Sequence, residues 1–190
     1  MGKIGLITLN GYFNYGNRLQ NYALQEVIKS LGFYVETVIN NRVMNKSKKV
    51  NAIKRISNIK GKTLEELIHK VLLKLWNYTH KEEITKSEFV RTEIFKKFTS
   101  DYIKETNYII SDNNIPDDLS DQYDYFITGS DQVWNPNYIY GSSIYFLAFA
   151  PKHKRIAFAP SFGVSEIKAE YVERYKEWLS GMHRISVREE

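Results

Sequence analysis

Residues 3–39 constrain the fold of this chain more than any other stretch. They hold an apolar run (3–9), a helical stripe (18–31) and a second apolar run (34–39), closely spaced. Lys3 to Leu9 alternates little, as a strand buried on both faces requires. Leu19, Ala23, Leu24, Val27, Ile28 and Leu31 recur at helical spacing, and Gly32 stands where a helix stop is commonest. Strand, helix and strand at this spacing predict a parallel β-α-β unit with a right-handed crossover. The expected class is α/β, a Rossmann-like, doubly wound and mainly parallel sheet.

The middle of the chain has a different periodicity. Leu64, Leu67, Ile68, Val71, Leu72, Leu75 and Trp76 mark one amphipathic helix, and Ile84, Val90, Ile94, Phe95 and Phe98 a second reaching to about residue 100. They read as a helical insertion, about 41–100, within a single domain of residues 1–190. A strand is expected at 125–128, a short strand or extended loop at 145–149 and another strand at 155–159. Ser165 is read as the cap of a helix carrying Ala169, Val172, Tyr175, Lys176 and Leu179, which Gly181 closes, and 184–187 as the last strand.

Composition narrows the function. An apolar fraction of 43% in 190 residues argues against disorder. Without cysteine there is no disulfide or thiolate metal site, and neither metal nor resident cofactor is expected. No signal-peptide core follows Met1, and no apolar run reaches the roughly 20 residues that span a bilayer. A cytoplasmic protein is expected. The formal charge is +5, and Arg42, Lys46, Lys48, Lys49, Lys54, Arg55, Lys60 and Lys62 form a run without an acid. It could rest on the inner face of a membrane, but the plainer reading is a solvated flank. Without interleaved aromatics or a DNA-reading motif, no nucleic-acid partner is expected.

A parallel sheet puts all strand carboxyl ends on one edge, where such folds bind ligands. The polar loops 10–18, 129–135 and 160–163 should converge there, with Arg188, Glu189 and Glu190 beside them. In the first loop, Asn14, Gly16, Asn17 and Arg18 precede a helix whose N-terminus would attract an anion, and Arg18 could fork onto phosphate or carboxylate. Equally, the glycines serve a turn and Asn17 is a helix cap. The amides of Gln20 and Asn21 could point back to the cleft, whereas Gln25 reads as solvent-facing. The second loop gathers Gly129, Ser130, Asp131, Gln132, Trp134 and Asn135. Asp131 is a candidate acid or base, or the carboxylate of an Asx turn. Trp134 could stack on a sugar or belong to the core. Ser161 represents the third loop. The four histidines lack metal spacing, and no serine sits in a nucleophile elbow.

Three blocks go beyond composition. Residues 11–25 read GYFNYGNRLQNYALQ, residues 128–136 read TGSDQVWNP, and residues 159–163 read APSFG. In this order they resemble the polysaccharide pyruvyl transferase family, and ISVREE at 185–190 resembles that family's mid-chain strand. The resemblance implies transfer of pyruvate from phosphoenolpyruvate onto a sugar of a surface polysaccharide or its precursor, as a ketal bridging two hydroxyls. It makes phosphoenolpyruvate and an acceptor sugar the expected partners. Asn14, Gly16, Asn17, Arg18, Gln20, Asn21, Gly129, Ser130, Gln132, Trp134, Asn135 and Ser161 become candidate binding residues and Asp131 the candidate catalyst. Family members resemble two-domain glycosyltransferases of the B-like fold. Residues 1–190 then correspond to the N-terminal half, expected to be inactive alone and to self-associate through a face the second half would cover. Where other branches carry an acid, this chain has Asn17, which implies binding rather than proton transfer there. A nucleotide-sugar glycosyltransferase domain and a non-catalytic glycan- or anion-binding module are the alternative readings.

Overall fold

The computed structural model describes residues 1–12, 14–41, 68–69, 72, 76 and 78–187. The first apolar run forms β1 (Lys3–Ile7), followed by α1 (Tyr15–Ser30) and β2 (Tyr34–Asn40). Next come α2 (Lys81–Tyr102), β3 (Glu105–Ile110), β4 (Tyr125–Gly129), the short α3 (Pro136–Ile139), β5 (Arg155–Phe158), α4 (Ala169–Ser180) and β6 (Arg184–Ser186). The six strands form one sheet in the order β3-β2-β1-β4-β5-β6, and every neighbouring pair is parallel. This is the doubly wound Rossmann-like order, in which the direction of winding reverses between β1 and β4. The chain divides into two compact units, one of Met1–Met44 with Phe95–Glu190 and one of Asn45–Ile94. The sheet and the clefts described below belong to the first unit. The basic run from Arg42 to Lys62, four positions of the first insertion stripe (Leu64, Leu67, Val71 and Leu75) and the final Arg188, Glu189 and Glu190 lie outside the described residues.

Strand period sets the core. Ile4 and Leu6 pack with Leu24 and Ile28 of α1 and with Val35. Ile7 joins a second, larger cluster with Val38, Phe126, Trp134, Phe146 and Tyr175. Burial on both faces explains why β1 lacks alternation. Phe95, 1% exposed, and Phe98 near the end of α2 meet Tyr15 and Tyr22 of α1, with ring centroids 4.4 and 5.9 Å apart.

Several local expectations need correction. The helix begins at Tyr15, not Arg18, and its cap is Asn14, whose side chain accepts from the Gly16 N–H at 2.8 Å. Its buried face is not the apolar stripe. Asn17, Arg18, Asn21 and Gln25 are buried beside Leu24 and Ile28, while Leu19, Val27 and Leu31 are more than half exposed. Gln25 is fully buried rather than solvent-facing. Its amide donates to Thr37 Oγ1 and to the Lys104 carbonyl, both at 2.8 Å, and accepts from the Lys104 N–H at 3.0 Å. A side chain that completes backbone bonds in this way ties α1 to the chain entering β3.

β3 has no counterpart among the expected strands. It is an edge strand whose first apolar burial comes late, in the pattern Thr106, Tyr108, Ile110. Residues 144–146 form a buried 3₁₀ turn rather than a strand. Ser165 does not cap α4, which starts at Ala169 after Lys168. Among the described residues no helix is long and apolar enough to cross a membrane.

Candidate functional site

The winding reversal between β1 and β4 brings the start of α1 against the loop that leaves β4. Gln20 spans the gap, accepting from Thr8 Oγ1 at 3.3 Å and donating to the Gly129 carbonyl at 3.2 Å. Gly129 ends β4 opposite Phe158 with φ of +124°, and an added Cβ would overlap the Phe158 carbonyl oxygen. Only glycine fits this turn from strand to loop.

Asp131 is the hub of that loop. Its backbone carbonyl accepts from the N–H groups of Val133 (2.7 Å) and Ser161 (3.0 Å), which pins the 160–163 loop alongside. Its Oδ1 accepts from the Gln132 N–H at 2.7 Å, and its Oδ2 from Asn17 Nδ2 at 3.3 Å. The carboxylate thus accepts from the next N–H rather than from the one two residues on that an Asx turn requires, and its other oxygen reaches the start of α1. The three polar loops meet, as the sheet geometry requires.

Other candidates serve the scaffold. Arg18 is 1% exposed, and its guanidinium binds Glu105 Oε1 (3.0 Å), the Leu9 carbonyl (3.3 Å) and, twice, Asn17 Oδ1. With these partners it is no free anion clamp. Asn21 turns into the sheet, where its Oδ1 accepts from Thr37 Oγ1 at 2.8 Å, instead of towards the cleft. Asn135 caps α3 through the Asn137 N–H and donates to Gln132 Oε1. The Trp134 ring is packed between Phe146 and Phe162 at 5.4 and 5.5 Å, and its N–H donates to the Tyr145 carbonyl. At 3% exposure the ring is mainly core, and it contributes to the lining of the cleft from within that packing.

What remains open is a cleft of about 550 Å³ at the carboxyl ends of β4, β5 and β6. Ser130, Asp131, Gln132 and Ser161 supply its polar wall, and Pro160, Phe162, Val164 and Val187 its apolar one. Gly163, with φ of +61°, lets the second wall close on Gln132, whose amide an added Cβ would overlap. Asp131 is the one ionisable group among the described lining residues. Such a surface suits a neutral, hydroxyl-bearing ligand. It is poorly matched to a multiply charged anion, which asks for cationic partners.

The family model of the polysaccharide pyruvyl transferases matches residues 14–190. This chain belongs to that family. No curated protein and no solved structure shows significant similarity to it.

For a pyruvyl transferase family member, the apolar wall is the part that reading the sequence missed. Phe162 and Gly163 were visible inside the APSFG block, but Val164 and Val187 carry no local signal. They reach the cleft only because β5 and β6 lie next to β4. A second cleft, of about 470 Å³, opens on the other side of Arg18, at the carboxyl ends of β1 and β2, with Tyr12 and Glu105 in its wall. Burial, and then the Glu105 carboxylate, push the Tyr12 phenol up, against the opposing pull of Arg18 and Lys96. The phenol is a hydroxyl donor at neutral pH.

Proposed function

We propose that this chain supplies the acceptor-sugar wall of a pyruvyl transferase site, with phosphoenolpyruvate as donor and a sugar of a surface polysaccharide or its precursor as acceptor. One observation carries the reading. The cleft between the 129–135 and 160–163 loops presents hydroxyls, an amide and a carboxylate, with no cationic side chain among its described lining residues.

In such a transfer the alkene carbon of phosphoenolpyruvate gains a proton and its neighbour becomes electron-poor. A sugar hydroxyl adds there, phosphate leaves, and a second hydroxyl closes the ketal as both hydroxyl protons depart. In this reading Asp131 accepts a hydroxyl proton or orients that hydroxyl, and Ser130 and Ser161 hold its neighbours, a role supported by their shared place in the cleft wall. Asn17 keeps the carboxylate aimed by donating to Oδ2. The cationic groups that phosphate and carboxylate demand must come from other residues. A nucleotide-sugar donor gains no support at α1, because Arg18 is already tied to Glu105 and Asn17.

The test pairs binding with chemistry. Methyl glycosides should shift the backbone amides of Ser130, Asp131 and Ser161 saturably, and phosphoenolpyruvate should not. In a protein that carries this domain and transfers pyruvate, Asp131→Asn should lower phosphate release at least about 100-fold. Phosphoenolpyruvate seated in this cleft, or an unimpaired Asp131→Asn enzyme, would contradict the assignment.

A further inference from the structure

The cleft beyond Arg18 is not used by the reaction above. It is lined by Asn10, Gly11, Tyr12, Arg18, Asn41 and Glu105, among others, where ligands of doubly wound sheets sit. Its two charges neutralise each other: Arg18 Nη1 and Glu105 Oε1 are 3.0 Å apart. Among the described lining residues the charges therefore sum to zero, and an anion would approach a cation whose guanidinium is already bound. Planar polar groups dominate the wall, namely three amides, a carboxylate and a guanidinium, with a phenol ring beside them. Neither the Tyr12 hydroxyl nor the second Glu105 oxygen has a hydrogen-bond partner among the described residues. Asn10 Oδ1 is buried without a hydrogen-bond partner, while its Nδ2 donates to the Asn40 carbonyl at 3.4 Å.

From these groups we infer a second binding site, for a neutral ring with vicinal hydroxyls. Flat carboxylate and amide groups match pairs of neighbouring hydroxyls, and the half-buried Tyr12 offers a ring face against which sugar C–H bonds can pack. Both a pyranose and the ribose of a nucleoside fit that description. Among the described lining residues the only cation is Arg18, already bound to Glu105, which favours the pyranose. The chain of hydrogen bonds from Arg18 through Asn17 to Asp131 joins this cleft to the first one. The site stands on its own geometry, whether or not Asp131 takes part in pyruvyl transfer.

Two-dimensional amide spectra of the chain decide it, with methyl glucoside, methyl galactoside and lactose as pyranose probes and uridine as the ribose probe. A pyranose probe should move the amides of Gly11, Tyr12 and Asn41 saturably, with a millimolar dissociation constant. Tyr12→Ala should weaken that binding about tenfold, equivalent to one lost contact. Tyr12→Phe, which keeps the ring, should lose less. Spectra away from the cleft report whether each variant is folded. Shifts confined to the Ser130–Ser161 cleft, shifts with uridine alone, no saturable shift at all, or equal affinity in folded Tyr12→Ala would each overturn the inference.

Discussion

Asn17 donates to Asp131 Oδ2 at 3.3 Å while its own oxygen accepts twice from the Arg18 guanidinium, the shorter bond being 2.9 Å. Arg18 therefore fixes which end of the amide faces Asp131. A side chain of similar shape without those atoms separates this role from simple packing. Asn17→Leu should leave two guanidinium donors buried and unpaired and destabilise the fold by about 2–3 kcal/mol, read by urea denaturation. Asn17→Asp keeps the acceptor for Arg18 but presents a carboxylate to Asp131. Of the two variants, only Asn17→Asp should recover stability relative to the wild type as pH falls through the carboxylate range.

The Arg18–Glu105 pair is asymmetric, because the Arg18 side chain is 2% exposed and that of Glu105 18%. Glu105→Leu strands a buried cation and should cost about 3–5 kcal/mol. Glu105→Gln retains the accepting oxygen and should cost less. A double-mutant cycle with Arg18→Met should show that the pair of changes costs less than the sum of the two single ones. Strict additivity would mean that the two side chains do not stabilise each other.

Much of this was legible in the chain. The β-α-β start, the strand before Gly129 and the three polar loops follow from local period and from the parallel rule, which puts all strand carboxyl ends on one edge. The partners of the polar residues were not. Asn17 reads as the cap, but Asn14 fills that place because the helix begins at Tyr15. Trp134 reads first as core, with a sugar platform as the alternative, and its packing against Phe146 and Phe162 agrees with the core reading. The face of α1 inverted expectation for a long-range reason: Thr37 and Lys104 supply partners that no window around Gln25 contains.

Gln25 gives the sharpest stability prediction from that inversion. Gln25→Leu would preserve volume while removing the bonds to both backbone groups of Lys104 and to Thr37. Burying those groups unpaired should cost about 2–4 kcal/mol, against less than 0.5 kcal/mol for a typical solvent-facing glutamine. Hydrogen exchange should show the gain in lability concentrated at Lys104 and the first residues of β3. A neutral effect would mean that water replaces the lost partners.

Acid sensitivity should centre on Glu36. Burial tends to raise its carboxyl, but hydrogen bonds from Lys3, Tyr123 and Tyr34 and the charge of Lys3 outweigh it, so the net shift is downward. The contacts are close: Lys3 Nζ at 2.9 Å, and Tyr123 donating its hydroxyl at 2.8 Å while meeting the Tyr108 hydroxyl at 2.8 Å. With the folded value below the unfolded one, the folded state holds fewer protons than the unfolded chain between them. The contribution is thus complete above the ordinary glutamate range and is lost as pH falls through the folded value. Unfolding free energy measured from neutral pH down into the acid limb should drop more steeply in the wild type than in Glu36→Gln. Tyr123→Phe should flatten the limb in the same direction but by less, since Lys3 and Tyr34 still hold the carboxylate. Parallel acid limbs in wild type and Glu36→Gln would place the sensitivity on other carboxylates.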